Sequence, residues 1–266
     1  VSPGSADAKQ LVDQGKQVLA RMKADNVSLL SSAVAFWGLL ALMPGLAALV
    51  SLYGLVADPA EVERQVREST EALPDEAQQL IVTQLRGIVD SPSAGLGAGL
   101  VVGLVIALLA ASAGVRTLSN AISVVYGDDP TSRGLVKDRG EALLLTLGAT
   151  AFAAVMIFVL TVASPDGVLG LLRWPVLAAL LVVGIGVLYR LVPISRPAPS
   201  LVTPGTVTAA VLAVVISLGF SFWAGTFGSY NETYGSLAAV VILLLWFQLS
   251  AMAVLIGAEV NQVVRR

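Results

Sequence analysis

Six stretches of this chain contain no charged residue, and their lengths leave few folds open. Asp, Glu, Lys and Arg are all missing from positions 26–57, 91–115, 142–165, 174–189, 197–231 and 233–258. About 20 apolar residues in a helix cross the hydrocarbon core of a bilayer. Lipid offers the backbone no hydrogen-bond partner, so only helices and closed barrels can span it. The alternating segments of roughly ten residues that mark a barrel are missing. The pattern therefore predicts an all-α, polytopic membrane protein with six transmembrane helices, at about 28–57, 94–116, 141–164, 174–192, 204–227 and 235–262. Composition agrees: 13% of residues are charged, against about 25% in a soluble domain.

The residue types that are missing narrow the chemistry. With no Cys there is no disulfide framework or thiolate chemistry, and with no His the usual zinc ligand and neutral-pH proton shuttle are gone. No metal and no cofactor is expected. A net charge of −2 gives no general attraction to nucleic acid. The opening residues VSPGSADAKQ are polar and do not read as a signal peptide; as they lack Met, a trimmed start is expected. Six spans put both termini on one side. That side carries twelve of the sixteen Lys and Arg residues, the other Arg64, Arg67, Arg86 and Arg173, so the termini are expected in the cytoplasm of a bacterial inner membrane.

The polar segments divide the chain further. Residues 1–27 form a cytoplasmic N-terminal segment before the membrane domain at 28–266. In it Leu11, Val12, Val18, Leu19 and Met22 fall near helical spacing among Lys9, Lys16, Arg21 and Lys23. That pattern reads either as an amphipathic helix on the inner surface, attracted to anionic lipid, or as a solvated entry helix. An extracytoplasmic acidic cap occupies 58–93, with short amphipathic helices expected in it.

Several features could carry a mechanism. Gly95, Gly99 and Gly103 in the second span, and Ala209, Ala213, Ser217, Ser221 and Gly225 in the fifth, repeat every four residues. Small residues at that spacing let membrane helices approach closely, within the chain or at an oligomer seam. Pro44 with Gly45 predicts a kink in the first span. The fourth span has an uncharged core only about 24 Å long, flanked by Arg173 and Arg190 and loosened by Gly184 and Gly186. At the outer mouth Tyr230, Asn231, Glu232, Tyr234 and Ser236 could bind a polar group. Glu259 ends an apolar run, about 9 Å before Arg265 along a helix, so it sits near the inner boundary. Arg116 and Arg190 are its expected partners, with Asn120 and Asn261 as neutral neighbours. Either a structural ion pair or coupling to a proton or substrate accounts for such a residue.

The stretches SLLSSAVAFWGLLALMPGLAALVSLYGL, VYGDDP and SYNETYGSLAAVVILLLWFQLSAMAVLIGAEVN resemble the YihY/BrkB family of bacterial inner-membrane proteins, from about residue 25 onward. The matching positions are Pro44, Tyr126, Gly127, Arg196, Pro204, Gly205, Tyr234, Gly235, Ser236, Trp246, Gly257, Glu259 and Asn261; Gln248 departs from the pattern. The resemblance implies six membrane helices and an association with the cell envelope, serum resistance and envelope or lipopolysaccharide export. An older label for the family is ribonuclease BN. Cleaving RNA needs a carboxylate- or His-held metal, or an acid and base pair, and a basic RNA-binding surface. The scattered acids of this chain do not supply them, so no enzyme is expected. A transporter or lipid-handling protein is the leading expectation, with membrane lipids, a lipid or small-molecule substrate and a homo-oligomer as the partners considered. The alternative is a scaffold that organises the envelope and moves nothing.

Overall fold

The computed structural model describes residues 3–54, 96–132, 134–162, 168–195, 200–226 and 236–265. Seven α-helices account for nearly all of them: α1 Pro3–Ala24, α2 Val27–Gly54, α3 Leu96–Val125, α4 Leu135–Val162, α5 Val168–Leu191, α6 Pro204–Thr226 and α7 Ser236–Val264. A single 3-10 turn at Pro130–Ser132 precedes α4, and no strand occurs among the described residues. By length and composition five helices can each cross a membrane. A sixth crossing results if α1 and α2 are one broken span. The acidic cap expected at 58–93 and the outer-mouth residues Tyr230, Asn231, Glu232 and Tyr234 lie outside the described residues, as does Gly95.

Helix α7 is the hub, packing on α1, α2, α3 and α6, while α4 and α5 close the bundle from outside. The buried core gathers at one end, that of the chain termini. Val27 opens α2, Ala121, Ile122 and Val125 close α3, Ile185 and Tyr189 close α5, and Ala209, Leu255 and Ala258 come from the facing turns of α6 and α7. Elsewhere large apolar side chains point outward, with Phe222 80% exposed and Leu109, Phe158 and Leu218 similarly bare. Water would penalise such a surface, whereas lipid tails solvate it, which fits helices that span a bilayer.

The chain's sharp bend lies between α1 and α2, where the axes turn by 60°. Asn26 adopts a left-handed φ of 51°, a conformation its short polar side chain tolerates better than most. The Asn26 carbonyl then accepts bonds from the Leu29 and Leu30 amides and restarts the helix. Pro44, where a kink is expected, lies inside α2, which runs as one helix from Val27 to Gly54. The uncharged core of the fourth span, 174–189, sits in a longer helix. Helix α5 has 24 residues, about 36 Å, because it continues past Pro175 to Val168. Arg173 lies within it, its guanidinium 5.1 Å from the Trp174 ring centroid.

The four-residue repeat in α6 packs only in part. Ala209 is buried, but Ser217 and Ser221 are exposed on the single chain. A strict four-residue step advances about 40° around a helix of 3.6 residues per turn, so the repeat winds off the α7 face. The less exposed track is Thr206, Ala209, Ala213, Ile216 and Phe220. The surroundings of Gly99, Gly103 and Gly225 lie outside the described side chains.

Candidate functional site at the terminal end of the bundle

Glu259 sits on the buried face of α7 with no exposed surface. Its Oε2 accepts a bond from Nε of Arg21, on α1, at 2.6 Å. The same guanidinium donates through Nη2 to the Val125 carbonyl at the end of α3, 3.1 Å away, and lies 3.7 Å from the Asp25 carboxylate. Arg21 thereby ties α1, α3 and α7 together and is shared by two carboxylates, one buried and one half-buried. The other oxygen of Glu259, Oε1, is buried without a hydrogen-bond partner.

The expected partners of Glu259 are corrected. Arg116 pairs with Asp138, Nε to Oδ2 at 2.5 Å, a charge contact without the alignment of a hydrogen bond. It links α3 to α4 instead. The physical reason is reach: α3 continues as a helix to Val125, so Arg116 lies more than two turns away from the end where the Val125 carbonyl meets Arg21. Arg190 is exposed and lines a crevice with Tyr126, Tyr189, Thr203, Asn261 and Arg265. Asn120 carries a buried side-chain oxygen with no partner, as does Ser123 one turn further on.

Asn261 organises the second half of the cluster. Its Oδ1 accepts the Gly205 amide at 2.9 Å, and its Nδ2 donates to the Tyr126 hydroxyl at 3.3 Å. The α6 N-terminus is built for this. Thr203 and Thr206 cap it reciprocally, each amide bonding the other's hydroxyl, with Pro204 at the first helical position where its missing N–H costs nothing. Gly205 then brings α6 against α7. A Cβ there would strike the Gly257 carbonyl and Asn261, and one on Gly257 would strike the Gly205 carbonyl and the Tyr189 hydroxyl. Tyr189 itself donates to the Val254 carbonyl and packs its ring 6.2 Å from that of Tyr126.

Tyr126 is aimed by the turn that follows it. The Gly127 amide bonds the Val124 carbonyl and the Asp128 amide bonds that of Ser123, the paired bonds of a Schellman cap with Gly127 at φ 78°. Burial lifts the Tyr126 phenol above its ordinary value, opposed by the Asn261 bond and the Arg265 charge, so it remains a neutral hydroxyl. Asp128 reaches the next loop, where its Oδ2 accepts the Ile194 amide at 2.7 Å and the Ser195 amide at 3.3 Å.

Sequence reasoning missed Arg21, Tyr189, Asp128 and the Thr203–Thr206 cap as parts of this site. The cap was readable as Thr-Pro-x-Thr; the others had no local signal. The crevice beside Asn261 measures about 10 Å³, room for about one water.

These features define an all-helical, multi-pass membrane protein whose buried polar groups are concentrated at one end of the bundle. The chain belongs to the virulence factor BrkB family, whose pattern matches residues 18–266. It is 24% identical to the putative ribonuclease-like protein YfkH of Bacillus subtilis (strain 168) over 267 residues, 94% of each chain. A UPF0761 membrane protein of Xanthomonas campestris pv. campestris (strain B100) is 40% identical over 72 residues, 27% of this chain and 17% of the relative. Another UPF0761 membrane protein, from Pseudoalteromonas translucida (strain TAC 125), is 39% identical over 79 residues, 30% of this chain and 26% of the relative. No solved structure matches. Seven positions that carried the resemblance, Tyr126, Gly127, Pro204, Gly205, Gly257, Glu259 and Asn261, come together in this one cluster.

Proposed function

We propose that the protein moves or exports a lipid or other envelope component across the bacterial inner membrane, with both termini in the cytoplasm, and that the Arg21–Glu259 pair closes its inner end. The observation that carries this reading is Glu259 itself. A carboxylate buried in a membrane helix costs about 2.5–3.5 kcal/mol at the helix centre and less toward the interface, and such residues mark substrate or ion pathways. Its partner comes from a peripheral helix and leaves Oε1 unpaired. A pair between a core helix and a surface helix can open without dismantling the bundle. The unpartnered Asn120 and Ser123 oxygens are further polar groups that a passing headgroup or water would satisfy.

One observation favours the scaffold reading. The crevice at the site holds no more than about a single water, so transport requires a second, more open arrangement. A ribonuclease reading, which the name of the Bacillus relative raises, has less support. The chain has no His, and the described residues contain no group of three or more His, Cys, Asp or Glu able to hold a metal ion.

Native mass spectrometry of the protein in its own lipids, for wild type and Glu259→Gln, tests the proposal. A specific envelope lipid or small molecule retained at fixed stoichiometry, and lost in the folded variant, is the expected result. A defined oligomer carrying only bulk lipid in both forms overturns it in favour of the scaffold.

A further inference from the structure

Helix α1 has a second face, opposite in character to the one that carries Arg21. Positions 9, 12, 16, 19 and 23 recur at helical spacing, so Lys9, Val12, Lys16, Leu19 and Lys23 form one stripe. All five are exposed, Val12 at 57% and Leu19 at 60%. Passing around the helix, Val18 and Met22 are half-buried toward the bundle; exposed Leu11, Leu19 and Val12 follow, and then the three lysines. Asp13 lies beside the stripe, 3.8 Å from Lys16 in a fully solvated pair. The order is contact, apolar flank, basic rim, the order in which a helix lying at a membrane surface meets protein, acyl chains and headgroups.

The orientation of α1 agrees. Its axis turns 60° from that of α2, so an α2 standing along the bilayer normal leaves α1 about 30° off the membrane plane, with Lys23 and Leu19 nearest the interface and Lys9 about 10 Å further out. A protein partner would be met by an apolar patch with a mixed polar rim. Here the rim is three like charges alternating with two aliphatic side chains, which complements a surface of anionic headgroups over hydrocarbon.

We propose that the stripe Lys9, Val12, Lys16, Leu19 and Lys23 docks α1 onto anionic phospholipid headgroups. The docking holds the helix whose other face presents Arg21 to Glu259. It does not depend on whether the protein transports anything.

The chain contains no Cys, so a single Gly15→Cys introduces one labelling site. A Cβ at Gly15 meets nothing within 4 Å, and the substitution leaves the stripe intact. The protein, labelled there with an environment-sensitive fluorophore, is reconstituted into phosphatidylcholine vesicles with and without phosphatidylglycerol. Quenching by lipid-borne quenchers is then read. We expect quenching to rise with the anionic lipid, to fall in high salt, and to drop to the neutral-lipid level when Lys9, Lys16 and Lys23 are all changed to Gln. Three basic residues at such a surface shift the docking equilibrium on the order of a hundredfold. Quenching that ignores lipid charge overturns the proposal, as does a label shielded from both water and lipid until the protein is diluted, which would assign the face to a second copy.

Discussion

Arg21 and Glu259 stand 238 positions apart and meet at 2.6 Å, one on a half-exposed surface helix and the other wholly buried in the last membrane helix. Removing one partner of a buried pair is costly because it strands the other, whereas removing both is much less so.

Glu259→Gln is expected to free α1 while leaving the bundle folded. Hydrogen exchange should speed up across Lys16–Ala24, and protection in α7 should persist. Loss of protection in both helices would make Glu259 a general folding residue.

The close approach of α6 and α7 forbids side chains at two glycines. Gly205→Ala and Gly257→Ala each place a methyl against backbone and the Asn261 or Tyr189 side chain. Overpacking of this kind costs about 1–3 kcal/mol. Gly148→Ala, where a Cβ meets nothing within 4 Å, should stay within about 0.5 kcal/mol of wild type. Thermal unfolding in detergent compares the three.

Asp128 holds the loop after α5 through two backbone amides. Asp128→Ala should cost about 1–2 kcal/mol and accelerate exchange at the Ile194 and Ser195 amides, while Asp128→Asn, which keeps an acceptor, should lose less. Site-resolved exchange distinguishes the variants.

Arg116 is assigned to Asp138 and not to the Glu259 site. Arg116→Gln should loosen α3 from α4 by about 1 kcal/mol, since the arginine is partly solvated. It should leave α1 exchange unchanged. An effect on α1 equal to that of Glu259→Gln would restore Arg116 as a partner.

The membrane helices were legible because charge-free runs of span length have few other folds available. Helix ends were less so: α3 passes its expected end at 116 and reaches Val125, since a helix continues beyond the bilayer wherever its polar turns can pack. The site was half legible. Glu259, Asn261 and Tyr126 stood out as polar or motif residues, and they do converge. The partner of Glu259 was not, because depth in the membrane ranks Arg116 and Arg190 beside it, whereas the 60° turn at Asn26 brings α1 back against α7. The small-residue repeat of α6 packs within the chain only in part for a geometric reason, the drift of a four-residue repeat around a 3.6-residue helix.

The central claim is that Arg21 and Glu259 act as a unit at the terminal end of the bundle. A double-mutant cycle of Arg21→Gln and Glu259→Gln, read by unfolding of the full chain in lipid nanodiscs, measures it most directly. The account predicts that Arg21→Gln alone costs about 3–5 kcal/mol, that adding Glu259→Gln recovers part of the loss, and that the coupling lies at about 1–3 kcal/mol. Effects that add to within about 0.5 kcal/mol would contradict it.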